Sequence, residues 1–180
     1  MNKTAVVYPI KGSAKSEFTN IGEEQFQQHC IEVTVDKLFE IDGPITLSDN
    51  KAARQLPNFI EMEPQTDEFG EYWVLEPHSS YNFESKVGCK VAEGECFWLI
   101  PRSSFNRCGV RVESSLYDSG FFSDGTNGVI YTKQNPLKLY KGMRVAQVLI
   151  LTAETMKLYN GQWQNKTIGV NGQYTTTENK

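Results

Sequence analysis

The pattern of apolar and polar positions predicts a chain built mainly from short β-strands. Residues 31–35, Ile-Glu-Val-Thr-Val, alternate apolar and polar side chains, the period of two expected of a half-buried strand. Only 23–28 and 49–55 suggest a helical turn. Short strands separated by frequent turn signals are typical of a sandwich or barrel-like domain, so we predict an all-β fold with one or two short helices. The other predicted strands, aromatic or β-branched runs bounded by turn-forming residues, are 72–75, 96–100, 128–131 and 145–151.

Length and composition fit a single globular domain. A chain of 180 residues is long enough to bury a sizeable core. Its 39% hydrophobic and 22% charged residues are ordinary for a folded protein. We assign residues 1–166 to the β domain and the polar stretch 167–180 to a C-terminal arm, which is mobile or becomes ordered on a neighbour or ligand.

The charge balance limits the choice of partner. The formal net charge is −4, which argues against nucleic acid as the main partner. An acidic chain still binds a nucleotide where its basic residues converge, and several basic residues are close in sequence. They are Arg102, Arg107, Arg111, Lys138, Lys141 and Arg144.

Cysteine, histidine and hydrophobic usage narrow the chemistry further. The four cysteines show no CxxC spacing, which favours reduced, partly buried thiols. Two histidines leave little material for a histidine-rich metal site or a Ser-His-Asp triad. The apolar run at 6–10 is short and interrupted by proline, so we expect no membrane partner. The expected location is the cytoplasm, or the host-cell cytoplasm if the source is a virus.

The segment from Arg102 to Arg107 is the strongest candidate for chemistry. Arg102, Ser103, Ser104 and Arg107 combine two guanidinium groups with two hydroxyls, a set that suits a triphosphate. An alternative is a structural corner in which Ser104 caps a short helix containing Arg107. A helix N-terminus there would itself favour phosphate, so the two readings are compatible.

Two later segments add to this candidate site. Asp118 could activate water, although Asp-Ser-Gly is also good turn chemistry and the residue could simply begin a turn. Arg144 and Gln147 could add phosphate or base contacts. Phe121 could pack in the core.

In their order and spacing these segments resemble the trimeric dUTPase / dCTP deaminase superfamily. The resemblance covers about residues 20–166. It includes Tyr159 to Gln164 near its end and Cys30-Ile31-Glu32-Val33 near its start, where the family usually has a small residue and then Asp-Leu. The matched motifs are R-S-S-x-x-R-x-G at Arg102 to Gly109, I-D-x-G-[YF] at Tyr117 to Phe121, and P-x-x-L-x-x-G-M-R-[IV]-A-Q at Pro136 to Gln147.

The resemblance implies a fold, an assembly and a site. The fold would be a distorted double-sheet, jelly-roll-like β-clip, assembled as a homotrimer with active sites between subunits. Asp118 would orient the hydrolytic water, Phe121 would stack on the deoxyribose, and Mg²⁺ would arrive on the triphosphate of a deoxypyrimidine nucleotide. The residues implied to bind the nucleotide are Arg102, Ser103, Ser104, Arg107, Phe121, Arg144, Gln147 and Tyr174.

Departures from the family pattern decide between its activities. The deaminase glutamate lies ten residues after the motif aspartate, and this chain has Gly128 there. The C-terminal stretch 169–177 keeps one aromatic residue, Tyr174, but lacks the arginine that meets the γ-phosphate. The missing glutamate disfavours deamination, so we predict hydrolysis of dUTP to dUMP and pyrophosphate, although the missing arginine counts against efficient hydrolysis. The alternatives are dCTP deamination, or a catalytically degenerate relative that acts as nucleotide sensor, sequestering protein or structural trimer.

Overall fold

The structure is a computed structural model of the chain and describes residues 6–7, 15–152, 154–161, 163–168 and 174–176. For 6–7, 167–168 and 174–176 only the backbone path is described. The strands are β1 (Val6–Val7), β2 (Glu17–Thr19), β3 (Ile31–Thr34), β4 (Lys37–Asp42), β5 (Asn58–Glu61), β6 (Gln65–Asp67), β7 (Gly70–Leu75), β8 (Ser80–Ser85), β9 (Gly88–Lys90), β10 (Glu95–Pro101), β11 (Arg111–Glu113), β12 (Phe122–Ser123), β13 (Thr126–Tyr131), β14 (Leu137–Tyr140), β15 (Arg144–Thr152), β16 (Lys166–Ile168) and β17 (Tyr174–Thr176).

The helical content is small, as the sequence predicted. The α-helix α1 (Ser103–Arg107) follows β10 directly, and two short 3-10 turns lie at Glu23–Gln25 and Lys51–Ala53. Both turns fall within the two segments for which a helical turn was expected. No helix among the described residues is long and apolar enough to cross a membrane.

The strands pair in several antiparallel sheets, which confirms the predicted all-β fold. One sheet has the order β10-β15-β3 and a larger one the order β11-β13-β8-β4-β5. The others are β1-β2-β9-β12, β14-β7-β6 and the hairpin β16-β17. This hairpin lies across the boundary of the arm proposed for 167–180, and that boundary stays a prediction.

Inward-facing side chains of these sheets form one main hydrophobic core. It includes the fully buried Phe18, Phe83 and Phe97, together with Ile130 and Val145. Because side chains alternate across a strand, the residues between them on β10 and β15 point to the other face of that sheet. That outer face carries the first group of candidate residues.

Strand β3 departs from the half-buried strand expected from its alternation. All four of its residues are buried, including the polar Glu32 and Thr34. The Thr34 hydroxyl donates to the Asp36 carboxylate at 2.7 Å, and Glu32 is paired with arginine. The alternation is present, but Glu32 is covered by arginines from distant parts of the chain and Thr34 bonds to a carboxylate two residues away.

Candidate active site

The first group of site residues is an arginine cluster, which we define as Glu32, Arg102, Arg144 and Gln147. Arg102 directly follows β10, Arg144 and Gln147 belong to β15, and Glu32 lies on β3, the third strand of the same sheet. The register sets Ile100 opposite Gln147, and Gln147 opposite Glu32. The topology of this sheet therefore joins residues that lie far apart in sequence.

Glu32 is the centre of the arginine cluster. Its side chain is only 2% exposed, and Nε of Arg102 donates to its Oε1 at 2.6 Å. Nη1 of Arg144 lies 3.1 Å from Oε2, and Nε2 of Gln147 lies 3.5 Å from Oε1. A buried carboxylate is tolerated only when such partners compensate for its lost hydration, so this contact fixes both guanidinium groups.

Further contacts hold the two arginines in place. Nη1 of Arg102 donates to the backbone oxygen of Arg144 at 3.3 Å, and Nη1 of Arg144 donates to the backbone oxygen of Glu24 at 2.6 Å. Two guanidinium charges face one carboxylate, which leaves the cluster with an excess of one positive charge. The arginine side chains are 22% and 33% exposed, so this charge is accessible to an anion from solvent.

Helix α1 carries the remaining residues of the arginine-serine segment. Ser103, Ser104 and Arg107 are exposed, and Phe105 fixes the helix to the core at 6% exposure. The suggestion that Ser104 caps this helix is wrong, because the helix already begins at Ser103. Arg102 occupies the N-cap position without a side-chain capping bond.

The second group of residues lines an aromatic cavity of about 710 Å³. Asp118, which is exposed, and Phe121, which is partly buried, both line it. Phe121 packs edge-on against Tyr117 and Tyr159, with ring centroids 5.3 Å apart in each pair. We call this space the aromatic cavity. Its lining is Leu47, Leu56, Phe59, Ser115, Leu116, Tyr117, Asp118, Phe121, Asn127, Val129, Tyr159, Trp163 and Lys166.

A well-anchored turn presents Asp118 to this cavity. Tyr117 exchanges backbone hydrogen bonds with Phe97 of β10, at 2.8 and 3.0 Å. The Phe121 N–H donates to the Asp118 carbonyl at 3.0 Å, and Gly120 adopts the positive φ of +83° that this turn requires. Asp118 is thus a turn residue, as one alternative held, and its side chain also lines the cavity.

Tyr159 and Trp163 line one side of the aromatic cavity. The Tyr159 N–H donates to the Ser119 carbonyl at 2.7 Å, and Nε2 of Gln164 donates to the Gly120 carbonyl at 2.9 Å. Phe122, in contrast, is exposed on β12 and does not line the cavity.

Gly128 cannot carry a side chain that acts in the cavity. A Cβ at this position would lie 2.6 Å from the Glu113 carbonyl oxygen and 2.8 Å from Cε1 of Phe83. Its neighbours Asn127 and Val129 line the cavity instead, because strand residues alternate between faces. A glutamate at Gly128 would therefore meet the Glu113 carbonyl and the Phe83 ring and would not face the cavity in this register.

The structure thus divides the predicted site into separate groups. Arg102, Arg144 and Gln147 come together with Glu32, and none of these four lines the aromatic cavity that contains Asp118 and Phe121. The side chain of Tyr174 lies outside the described residues. Sequence reasoning missed Glu32 as a site residue, although it stands where the family has aspartate.

The cysteines and the possible metal ligands also bear on the chemistry of the site. All four cysteines are unpaired, as expected: Cys89 is buried, Cys108 exposed and the other two intermediate. Burial raises the pKa of the Cys96 thiol, and the nearby negative charge of Asp118 raises it further. Within the described ranges, no group of three or more His, Cys, Asp or Glu side chains is arranged to hold a metal ion.

The chain has an all-β fold, a guanidinium cluster and a separate aromatic cavity that contains an aspartate. It belongs to the dUTPase / dCTP deaminase superfamily. Residues 9–153 match the model of the dCTP deaminase-like family, and the chain is a member of that family.

Two curated relatives are similar over most of their length. The chain is 30% identical to a deoxyuridine 5′-triphosphate nucleotidohydrolase of Methanocaldococcus jannaschii, over 86% of this chain and 96% of that protein. It is 29% identical to a probable deoxyuridine 5′-triphosphate nucleotidohydrolase of Methanopyrus kandleri, over 81% of this chain and 92% of that protein.

A solved structure supports the fold. The chain superimposes on the 2′-deoxycytidine 5′-triphosphate deaminase of Agrobacterium tumefaciens with a TM-score of 0.52 at 13% identity. This match covers 69% of the present chain and 41% of the other.

Proposed function

We propose that this protein hydrolyses dUTP to dUMP and pyrophosphate. The observation that carries the proposal is the position of Asp118, an accessible carboxylate at the wall of a cavity lined by aromatic rings. Such rings offer faces for a pyrimidine and its sugar, and the carboxylate can accept a proton from an attacking water. The nucleotidohydrolase names of the two relatives point the same way.

The arginine cluster and α1 supply the phosphate contacts in this proposal. Arg102 and Arg144 are fixed by Glu32, so little conformational freedom is lost when a phosphate approaches them. Gln147 and the exposed side chains Ser103, Ser104 and Arg107 extend the donor surface. Phosphoryl chemistry of this kind depends mainly on positioning and charge neutralisation.

Magnesium enters the proposal as part of the substrate. The described residues offer no multi-carboxylate cage, whereas Mg²⁺ often binds through phosphates and one or two carboxylates. The Mg²⁺ complex of dUTP would bring its own charge neutralisation. Asp118 would act on the water, with no protein-bound metal required.

Deamination of dCTP is the less supported activity. On β13, the two residues that line the cavity are Asn127 and Val129, and neither has a carboxylate to transfer protons to the departing ammonia. Loss of such a group costs on the order of 10²–10⁴-fold in rate.

A complete site in this proposal requires more than one copy of the chain. None of the four residues of the arginine cluster lines the aromatic cavity, and in this proposal the cluster of one copy faces the cavity of a second copy. The outer face of β10 and β15 supports association, because Trp98, Leu149 and Leu151 are 46%, 36% and 43% exposed. This apolar face continues directly to the arginine cluster, and we propose that it is buried in a homotrimer.

The hydrolysis is tested by Asp118→Asn, with Asp124→Asn as the matched control. Asp124 is exposed nearby but does not line the cavity. With dUTP and Mg²⁺, Asp118→Asn should abolish pyrophosphate release while affinity for dUTP stays within about fivefold, because the amide keeps the shape but not the basicity. Asp124→Asn should retain activity.

The same assay distinguishes the alternatives. Pyrophosphate release that survives in Asp118→Asn would restrict Asp118 to its turn role. Tight dUTP binding without turnover in the unmutated protein would favour a sensing or sequestering relative, and dUTP formed from dCTP would favour the deaminase.

The assembly is tested by light scattering. The unmutated 20.4 kDa chain should form a species of about 60 kDa, three times the chain mass. Trp98→Glu should dissociate it, whereas Phe69→Glu, at a residue 77% exposed in the turn between β6 and β7, should not. A monomer at micromolar concentration would contradict the trimer and with it the composite site.

A further inference from the structure

The aromatic cavity has polar as well as aromatic side chains in its lining, and one of them is Asn127. Asn127 is the carboxamide residue of this lining and is half-buried. It lies on β13, two residues before Val129, which lines the same cavity. Phe121, Tyr159 and Trp163 line the same space. A flat base stacked on such rings turns its polar edge toward the surrounding side chains, and Asn127 is suitably placed to meet it.

Tyr117 occupies the backbone polar groups of Asn127. The Tyr117 hydroxyl donates to the Asn127 carbonyl at 2.7 Å and accepts from the Asn127 N–H at 3.0 Å. The tyrosine is itself held firmly: it is 7% exposed and stacks on Phe97 with ring centroids 4.2 Å apart and planes at 10°. The backbone of residue 127 is therefore committed to the protein, and the side-chain amide is what this residue can offer a ligand.

The amide also has a preferred orientation. The Tyr117 hydroxyl proton that goes to the Asn127 carbonyl is shared with Oδ1 at 3.4 Å, the longer arm of a three-centre hydrogen bond, so Oδ1 is turned toward the protein. Within the part of the chain that the structure describes, Nδ2 has no hydrogen-bond partner. An unpaired N–H₂ group beside an apolar wall gains most from an acceptor on the ligand.

From this arrangement we infer that Asn127 reads the pyrimidine edge, its Nδ2 donating to the O4 carbonyl of uracil. This inference rests on the proposed function. Uracil presents an acceptor at position 4, whereas cytosine presents an amino group, which is a donor. A donor facing a donor leaves both unpaired in a desolvated site, so the amide in this orientation favours uracil over cytosine.

The experiment compares binding of the non-hydrolysable α,β-imido analogues of dUTP and dCTP by titration calorimetry with Mg²⁺. Asn127→Asp replaces the donor by a nearly isosteric acceptor. It should move the ratio of uracil to cytosine affinity at least about tenfold toward cytosine, the effect of one matched hydrogen bond. Asn127→Ala should bring the ratio close to one, and it provides the measurement if the carboxylate variant does not fold.

Asn135→Asp is the matched control, because it makes the same charge change at an exposed residue just after β13. It should alter neither affinity by more than about twofold. The inference is overturned if both Asn127 variants keep the affinity ratio of the unmutated protein, or if that protein itself prefers the cytosine analogue. If the unmutated protein binds neither analogue, the proposed function is overturned as well. If it binds them but the Asn127 variants leave the affinity ratio unchanged, only the role of Asn127 is overturned.

Discussion

Replacement of the buried Glu32 by glutamine should destabilise the protein far more than the same change at its surface. Glutamine keeps the size and shape of the side chain but removes the negative charge that faces Arg102 and Arg144. The bond at 2.6 Å to Nε of Arg102 loses its ionic character, and the two guanidinium groups are left facing a neutral amide. The perturbation is thus confined to charge.

The magnitude follows from burial. Loss of a charge-assisted hydrogen bond costs about 1.5–3 kcal/mol. Breaking a fully buried ion pair costs about 3–5 kcal/mol, but these arginine side chains are 22% and 33% exposed and keep part of their hydration. We expect a loss of about 2–3 kcal/mol in the free energy of unfolding. For a chain of this size that lowers Tm by about 4–12 °C.

Thermal unfolding followed by circular dichroism measures this effect, with Glu61→Gln as control. Glu61 pairs with Lys37 at 3.2 Å, and both side chains are more than 40% exposed, so the control should cost no more than about 0.5 kcal/mol. Tripolyphosphate should raise the Tm of Glu32→Gln more than that of the unmutated protein, because an external anion can replace the lost carboxylate. Equal Tm values for Glu32→Gln and Glu61→Gln would refute the reasoning.

Three further outcomes follow from the structure. Gly128→Ala should cost about 1–3 kcal/mol of unfolding free energy in urea titrations, because the new Cβ meets a backbone oxygen and a packed ring; a neutral result would show that β13 shifts easily. In the native protein, iodoacetamide should label the exposed Cys108 and spare Cys89, because burial raises the pKa of the Cys89 thiol to about 12. Mass spectrometry of the peptides measures the labelling, and a labelled Cys89 beside an unlabelled Cys108 would contradict this prediction. The bond from Lys138 lowers the pKa of Asp67 from 3.8 to about 2, so the stabilisation from this pair is present above pH 3.8 and is lost as pH falls through about 2. Carbon-13 NMR titration should find that low pKa, and Lys138→Met should return it toward its ordinary value.

The sequence by itself determined the fold class and most of the elements. All five predicted strands form, because alternation and β-branched runs depend on local conformation and on the burial of one face. Both predicted helical turns are present as 3-10 turns. The spacing of the arginine-serine, aspartate and arginine-glutamine segments also indicated the family. The match of residues 9–153 to the dCTP deaminase-like family model confirms it.

Only the tertiary structure decided which of these residues lie together. The arginine cluster depends on the strand order β10-β15-β3, in which Glu32 and Gln147 are opposed although they are 115 positions apart. Sequence spacing does not contain that register. It is fixed by the packing of side chains across the whole sheet. Likewise, counting from Asp118 led to Gly128, but the pleat of β13 turns that position into the core and Asn127 toward the cavity. A shift of one residue along a strand reverses the face, so the chemistry of this wall was decided by the folded sheet.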